Sequence, residues 1–498
     1  MFASIAYASP SAFNSTRERA DLSIAASQTR PVSFHGEVVR NGFTLRVALR
    51  ALGSAIWSED VWDSEADFVS RILDPVITVH PDRLWFEAFS QDMSVYSALI
   101  VDPDSFRLEG TPSYGTTNID FTAWLWGALD EMRTSRRTHF RVGAEGFEVS
   151  TSSAGGRFES KVDIPDAWVR GFLQVQGAMA LPGTRLSVRA VDLLSAIRFL
   201  RFNKAKISPR ALRYEMEPEK FAQLVIEPWD HVVPLEGATH GYTEKRVIRT
   251  WGRRRLRLIE PLLPFAERVD IYLKGRALPS FYAVKLPGMT FLLGLSSFGG
   301  EGGFGGSSGF DLTTPTQDNS HAPAVLSALA PAFHLSTAEV AQRANIPVAD
   351  AARTLTSLSY AGRAMYDLEA QRWRYRELFD PPIDPVRFYP PDPRREAADR
   401  LLAQGLSDIE VTAEDARKAR RYVNPNTGEK VERELVFRQW RIGGSCEGER
   451  TSIVVNAEER IIFGQCGCEF FKEHVMNFGP CAHMLALYQA SAAQRVLE

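Results

Sequence analysis

The sequence predicts a multidomain α+β protein: a mixed α/β N-terminal region, a helix-rich segment closed by a hairpin, and a C-terminal ββα unit built around a metal ion. Three observations predict it. The chain has 498 residues, a length of about three domains at ~150 residues each. Strand and helix periodicities mix through its first half and sharpen beyond His321. Three of its four cysteines fall between Cys466 and Cys481, and His483 stands beside the last.

Composition narrows the class. Hydrophobic residues make up 44% and charged residues 24%, ordinary values for a globular protein. The net charge of −3 excludes a polyanion binder acting by bulk charge. No apolar run reaches the ~18 residues that a membrane span needs, so no membrane partner is expected. The opening "MFASIAYASPSAFNSTRERA" has no basic region ahead of an apolar core, unlike a signal peptide. Four cysteines in so long a chain fit a reducing cytoplasm, where a tight Cys/His cluster points to metal.

Taken in order, residues 1–34 read as disordered, from their Ser, Thr and Ala content. Residues 35–297 form the N-terminal α+β region. Within it "HFRVGAEGFEVS" reads as a hairpin, and "LSVRAVDLLSAIRFLRF" carries Ala190, Leu193, Ile197 and Leu200 at helical spacing. Two short matches, "LWFE" then "LIVDP" and "LRYE" then "LVIEP", suggest a duplicated unit. Residues 298–320 read as a Gly/Ser-rich linker. Its neighbourhood contains formal G-x-G-x-x-G and G-x-S-x-G matches. Neither is followed by the helix that a phosphate loop or a nucleophile elbow requires, so both are rejected.

Residues 321–378 hold three helical patterns and a hairpin. Val325, Leu326, Leu329 and Phe333 share one face of the first. Ser336 with Glu339 is a capping box opening the second. Val348, Ala352, Leu355 and Leu358 mark the third, which Gly362 ends. "AMYDLEAQRWRYREL" then reads as a hairpin. This order resembles a winged helix-turn-helix domain. Residues 379–393 are a Pro-rich spacer. Residues 394–498 read as a helix from about Arg394 to Arg421, four short strands ("ELVF", "QWRI", "SIVV", "RIIF") and the metal unit.

Cys466 and Cys468 stand at i and i+2, a spacing that turns both side chains to one side of an extended strand. Twelve residues later come Cys481 and His483, just after Pro480 and at the start of a predicted helix. The positive end of that helix favours the Cys481 thiolate. These four residues are the predicted ligands of Zn²⁺. His474 and Cys446 lack ligand spacing and read as bystanders. Four good ligands, three of them thiolates, leave no open position for water and a net charge of about −1, so the metal is structural and not catalytic.

The pattern C-x-C, a gap, then C-x-H at a helix start resembles the SWIM zinc finger, and the preceding strands fit its ββα plan. With "LWFEAFS" and "GTTNID", the whole layout is similar to a group of bacterial SWIM proteins. That resemblance implies an accessory protein with a protein partner, a MoxR-type AAA+ ATPase or a von Willebrand A-domain protein, and the closed ligand set adds the expectation that it is not an enzyme. SWIM fingers elsewhere occur in Swi/Snf-type ATPases and Mutator-like transposases, where DNA or protein binding is inferred.

Two function classes therefore stand. The first is a cytoplasmic zinc-binding adaptor or regulatory protein acting on protein, nucleic acid or both. The alternative is a DNA-binding transcriptional or repair regulator acting through the winged helix. A zinc-dependent hydrolase is a distant third, because no general base accompanies the ligands. Candidate nucleic-acid contacts are Arg253, Arg254 and Arg255 with Trp251 in the basic stretch 244–258, Arg353 on the last helix of 321–378, and Arg372, Arg374 and Arg376 on its hairpin. Against them, 321–378 carries only six basic residues to five acidic ones.

Overall fold

Apolar runs buried on both sides dictate the largest sheet. The chain is described from a computed structural model, which covers residues 4–7, 11–26, 32–56, 75–121, 123–143, 160–163, 166–205, 210–275, 278–296, 304, 320–379, 383, 388, 392–423, 428–456, 460–476 and 479–495. It divides into two compact units, Met1–Lys204 with Pro209–Phe388, and Ala205–Ser208 with Tyr389–Glu498. The boundary between Phe388 and Tyr389 falls inside the predicted Pro-rich spacer.

In the first unit, helix α1 (Gly42–Ile56) precedes strands β1 (Leu84–Phe89) and β2 (Val95–Val101), and helix α2 (Asp166–Ala180) precedes strands β3 (Ser280–Leu286) and β4 (Met289–Leu295). All four strands are buried along their whole length. They form the centre of an eight-stranded antiparallel sheet, which runs from Thr184–Val188 through Arg268–Leu273, β3, β4, β2, β1 and Val76–Val79 to Gly115–Asn118. Antiparallel sheets commonly leave one face wet. Here Leu84 and Phe86 join the main core beside Leu45, Leu49 and Leu52 of α1. On the opposite face Phe89 meets Phe172 of α2, ring centroids 4.9 Å apart, and Trp85 packs with Met365.

Among the described residues the order strand, helix, three strands occurs twice: Phe34–Val38, α1, Val76–Val79, β1, β2, and then Thr184–Val188, Ala190–Phe202, Leu212–Met216, Gln223–Ile226, His231–Pro234. The matched "LWFE" and "LRYE" fall on the second and the first of the three strands respectively.

The predicted disorder of residues 1–34 is corrected. Ser4–Tyr7, Ala12–Ser15 and Arg19–Ala25 are strands, and Arg19–Ala25 runs parallel to Arg137–Gly143. Its Ala20, Leu22 and Ile24 are buried while Arg19, Asp21 and Ser23 alternate outward. This is a period of two that the polar composition masks. The predicted linker lies outside the described residues except Phe304 and Ser320. The second half of the hairpin predicted around "GAEG" lies outside them too.

Residues 321–378 give helices α3 (Ala322–Leu329), α4 (Thr337–Ala344) and α5 (Val348–Tyr360), then strands β5 (Ala364–Asp367) and β6 (Arg372–Tyr375). The two-residue strand His334–Leu335 joins β6 to make three strands. Ser336 and Glu339 close the capping box as predicted. The segment is part of the first unit. Gln176 of α2 accepts the Tyr366 N–H at 2.9 Å. A Cβ on Gly177 would lie 2.4 Å from the Tyr360 hydroxyl, so only glycine admits α5 at this distance.

Two buried arginines, Arg374 of β6 and Arg376 just beyond it, tie the hairpin to the sheet. Arg374 grips Asp82 with both terminal nitrogens, at 2.9 and 3.0 Å, and Asp367 with Nε at 2.7 Å. Its guanidinium lies 4.3 Å from the Trp85 ring centre. Arg376 donates to Glu87 at 2.7 Å, and the other oxygen of Glu87 accepts from the Tyr96 hydroxyl at 2.7 Å. Arg376 and Glu87 are 1% and 0% exposed. Removing one partner strands a buried charge, at a cost of about 3–5 kcal/mol, whereas removing both can be nearly neutral. Arg376→Met is therefore expected to lower the urea midpoint of the first unit sharply, and Glu87→Gln with Arg376→Met to recover most of it. Equal midpoints for the wild type and the single variant would show that the pair bears no such weight.

Candidate metal centre

The second unit begins with helix α6 (Pro393–Gln404), capped by Asp392, whose carboxylate accepts the Arg394 N–H. The helix predicted to run on to Arg421 is corrected: strand β7 (Ser407–Val423) starts three residues beyond α6. It pairs antiparallel with β8 (Lys430–Cys446), a single strand that contains both "ELVF" and "QWRI". Strands β9 (Glu449–Asn456) and β10 (Ile461–Cys466) complete the sheet, in the order β7-β8-β9-β10. Helices α7 (Glu469–His474) and α8 (Ala482–Ala490) follow. Trp440, Ile442, Ile453, Val455, Met484 and Leu487 form the core between the sheet and α8.

Sheet and helix meet at four side chains. Cys466 ends β10, Cys468 is the N-cap of α7, and Cys481 is the N-cap of α8, with His483 in its first turn. Their ligand atoms all lie within 4.8 Å of one another, so the group can hold a metal ion. The edges of a tetrahedron of thiolates at ~2.3 Å from Zn²⁺ are roughly 3.8 Å long, so a small contraction closes the site. Among the described residues the buried Nδ1 of His483 has no hydrogen-bond partner, as suits an imidazole that lends that lone pair to a metal. One detail differs from the sequence reading. Only Cys466 is on the strand; Cys468 comes after a turn, where a Cβ on Gly467 would sit 2.1 Å from a Glu449 oxygen.

The surroundings prepare the sulfurs for negative charge. Backbone N–H groups of Cys468, Phe471 and Met484 point at the sulfurs of Cys466, Cys468 and Cys481, in that order. Thr451 Oγ1 lies 3.3 Å from Cys466 Sγ. Such second contacts fix ligand orientation. Among themselves the thiols compete. The hydrogen bond with Cys481 pushes Cys466 down to about 4, while the same bond and burial push Cys481 up. A divalent cation removes that competition, because each thiol can then ionise against it.

Neither bystander belongs to the group of ligand atoms. Cys446 is buried beside Ala398, Leu401 and Ala486, its sulfur 3.9 Å from the His483 carbonyl. Burial pushes its thiol up to about 11. His474 closes α7, against the Phe470 ring and 3.7 Å from Glu473. Glu469 and Glu473 are exposed.

The arginines proposed for nucleic acid are divided by the structure, and four of them are corrected. Arg374 and Arg376 are buried in the ion pairs described above. Arg253 is buried against the Glu227 carbonyl, with Trp229 under its guanidinium. Arg255 is buried and bonded to Asp92 at 2.7 Å. A guanidinium enclosed in this way cannot reach a phosphate. Arg254 and Arg353 are exposed, Arg353 paired with Asp350; Trp251 and Arg372 are half-buried, and Arg372 donates to Glu339 at 3.0 Å. On α5, Thr354 and Ser357 are buried.

The chain matches no described protein family and no curated protein. Among solved structures it is similar to the proliferating cellular nuclear antigen of Entamoeba histolytica, at 11% identity over 53% of this chain and 98% of that one, with a TM-score of 0.36. It is similar also to the PCNA2–PCNA3 complex from Sulfolobus tokodaii, at 10% identity over the same shares, with a TM-score of 0.33. Scores this low carry no argument about fold or function.

Purified protein is expected to contain one metal ion per chain by elemental analysis. Cys481→Ser should lose it, and Cys446→Ser should keep it. Cobalt substitution should add the intense near-ultraviolet absorption of thiolate ligation, and Cys466→Ser should weaken that band. Equal metal loss from Cys446→Ser and Cys481→Ser would overturn the ligand assignment.

Proposed function

We propose that the protein is a non-enzymatic adaptor or regulatory protein whose C-terminal unit is a SWIM-type finger held by structural zinc. The observation that carries this reading is the convergence of three thiols and an imidazole to within 4.8 Å at the junction of sheet and helix. Three thiolates and one imidazole are a donor set that zinc favours and that closes its coordination shell. A catalytic zinc keeps a position for water and works with a base. The acids nearest in sequence, Glu469 and Glu473, face solvent. Metal binding then supplies folding free energy to a unit with a small core.

The first unit takes the role of a scaffold in this proposal. We read its repeated strand–helix–three-strand order as a duplication. We read α3 to β6 as a winged helix that has become a buttress. Its hairpin arginines are spent inside the unit, and its third helix packs against α2, which disfavours the DNA-binding regulator acting through this segment. A protein partner, an AAA+ ATPase system in the light of the SWIM resemblance, is the first class to seek. A pull-down from lysate with and without nuclease separates protein-mediated from nucleic-acid-mediated association. Association that vanishes with nuclease would contradict a direct protein partner.

His483→Ala is expected to confine new proteolytic cleavage to residues beyond Tyr389 and to leave the first unit intact, because domains joined by a spacer fold largely alone. Mass mapping of the fragments checks it. Cleavage throughout the chain would mean that the two units do not fold independently.

A further inference from the structure

Three helices stand side by side over the main core of the first unit: α1, the helix Ala190–Phe202 and the 3₁₀ helix Arg253–Phe265. The 3₁₀ helix packs against both of the others. Its Phe265 meets Phe43 of α1, ring centroids 5.4 Å apart, and its Glu260 meets Arg201 at 3.5 Å. All three turn apolar residues to the same core, among them Leu49, Ile197 and Ile259.

Their outer side is charged out of proportion to the chain. Together the three helices hold eight arginines, no lysine and two acids, in a chain whose net charge is −3. Arg253 and Arg255 are buried, and so is Asp192, which Arg189 holds at 2.7 Å. A 3₁₀ helix repeats every three residues, so Arg254, Arg257 and Glu260 share one row. Arg254 and Arg257 are exposed there, and Glu260 is half-buried. On the helix Ala190–Phe202, Arg198, Arg201 and Phe202 are exposed, Phe202 to 81%. Among the described residues neither Arg198 nor Arg254 meets a carboxylate. At the flank, α1 adds Phe43, with the Arg46 guanidinium 4.6 Å from its ring centre, and Arg50 is paired with Asp130 at 2.8 Å.

We propose that this helical layer binds single-stranded DNA, with Arg198, Arg201, Arg254 and Arg257 against phosphates and Phe202 under a base. The planar guanidinium matches phosphate with two donors at once. Exposed aromatic side chains among cations stack on bases, which a single strand leaves open. A lipid surface is disfavoured, because a helix that lies in a bilayer interface buries an apolar face there, and these helices turn theirs to the core. RNA gains nothing on this face. Its 2′-OH is both donor and acceptor, and the carboxylate in the outward row, Glu260, is already engaged by Arg201. The proposal concerns the first unit and does not rest on the metal centre.

The test is fluorescence anisotropy of the full chain against a labelled DNA strand of roughly 20 nucleotides, the same sequence as a duplex, and the matching RNA strand, in ~50–200 mM salt. Circular dichroism on each variant confirms that it is folded. The wild type is expected to bind the DNA strand most tightly, with steep salt dependence. Arg198→Gln with Arg254→Gln and Arg257→Gln should reduce the slope of log K against log salt by about 2.1, three phosphate contacts at ~0.7 each. Lysine at the same three positions should keep most of that slope, since the charge is retained. Phe202→Ala should weaken binding by about tenfold and leave the slope unchanged. Arg353→Gln with Arg372→Gln, in the segment 321–378, should alter neither. A wild type without salt-sensitive binding to the strand overturns the proposal, and so does a triple glutamine variant with an unchanged slope. Tighter binding of the duplex or of RNA, or full affinity in Phe202→Ala, would remove the single-stranded DNA reading. Capture by phosphatidylserine vesicles that the triple glutamine variant abolishes, with no DNA binding, would assign the layer to a membrane surface instead.

Discussion

Three thiols and an imidazole crowded into a few ångströms are the constraint on which the C-terminal unit depends. Hydrophobic packing has no means of holding them there, since packing is indifferent to which sulfur carries a proton. The strand that ends at Cys466 and the helix that starts at Cys481 converge because each brings a donor to one point. The buried sheet residues and the apolar face of α8 then close around that point. A metal bound at that point and the core would be complementary: one would set the register of sheet against helix, and the other would exclude water from the sulfurs.

The first unit solves a different problem with a related device. Its sheet is covered on both sides, yet Glu87 is carried on a strand that is otherwise apolar. A carboxylate in that position is tolerable only with full compensation, and Arg376 and Tyr96 supply it. Arg374 does the same for Asp82 and Asp367 while lying over Trp85. The hairpin is therefore fastened by charge and not by apolar contact alone. For the same reason its arginines are lost to solvent.

The Cys/His group was legible because paired spacing is a local signal and metal chemistry is strict about donor type. The capping box at Ser336 and the hairpin after Gly362 were legible for the same local reason. Where the reading failed, the deciding information was distant or cancelled. Asp82 and Glu87, which hold Arg374 and Arg376, lie 292 and 289 residues away in sequence, and only Asp367 stands near, so little in the local sequence announced their burial. Strand β7 carries charges on both faces, which erases the polar–apolar contrast that reveals a period of two. The strand at Arg19–Ala25 shows that contrast, but only in a short stretch within Ser- and Ala-rich surroundings.

The ion pair between Glu87 and Arg376 also sets a timetable. Its partners are 289 residues apart, and a ribosome adds roughly 5–20 residues each second. The strand bearing Glu87 is thus made some 15–60 s before the arginine that neutralises it, at roughly that rate. Throughout that interval the apolar sheet cannot close over the carboxylate at low cost. Closure of the sheet over that carboxylate is therefore cheapest once the hairpin has left the exit tunnel.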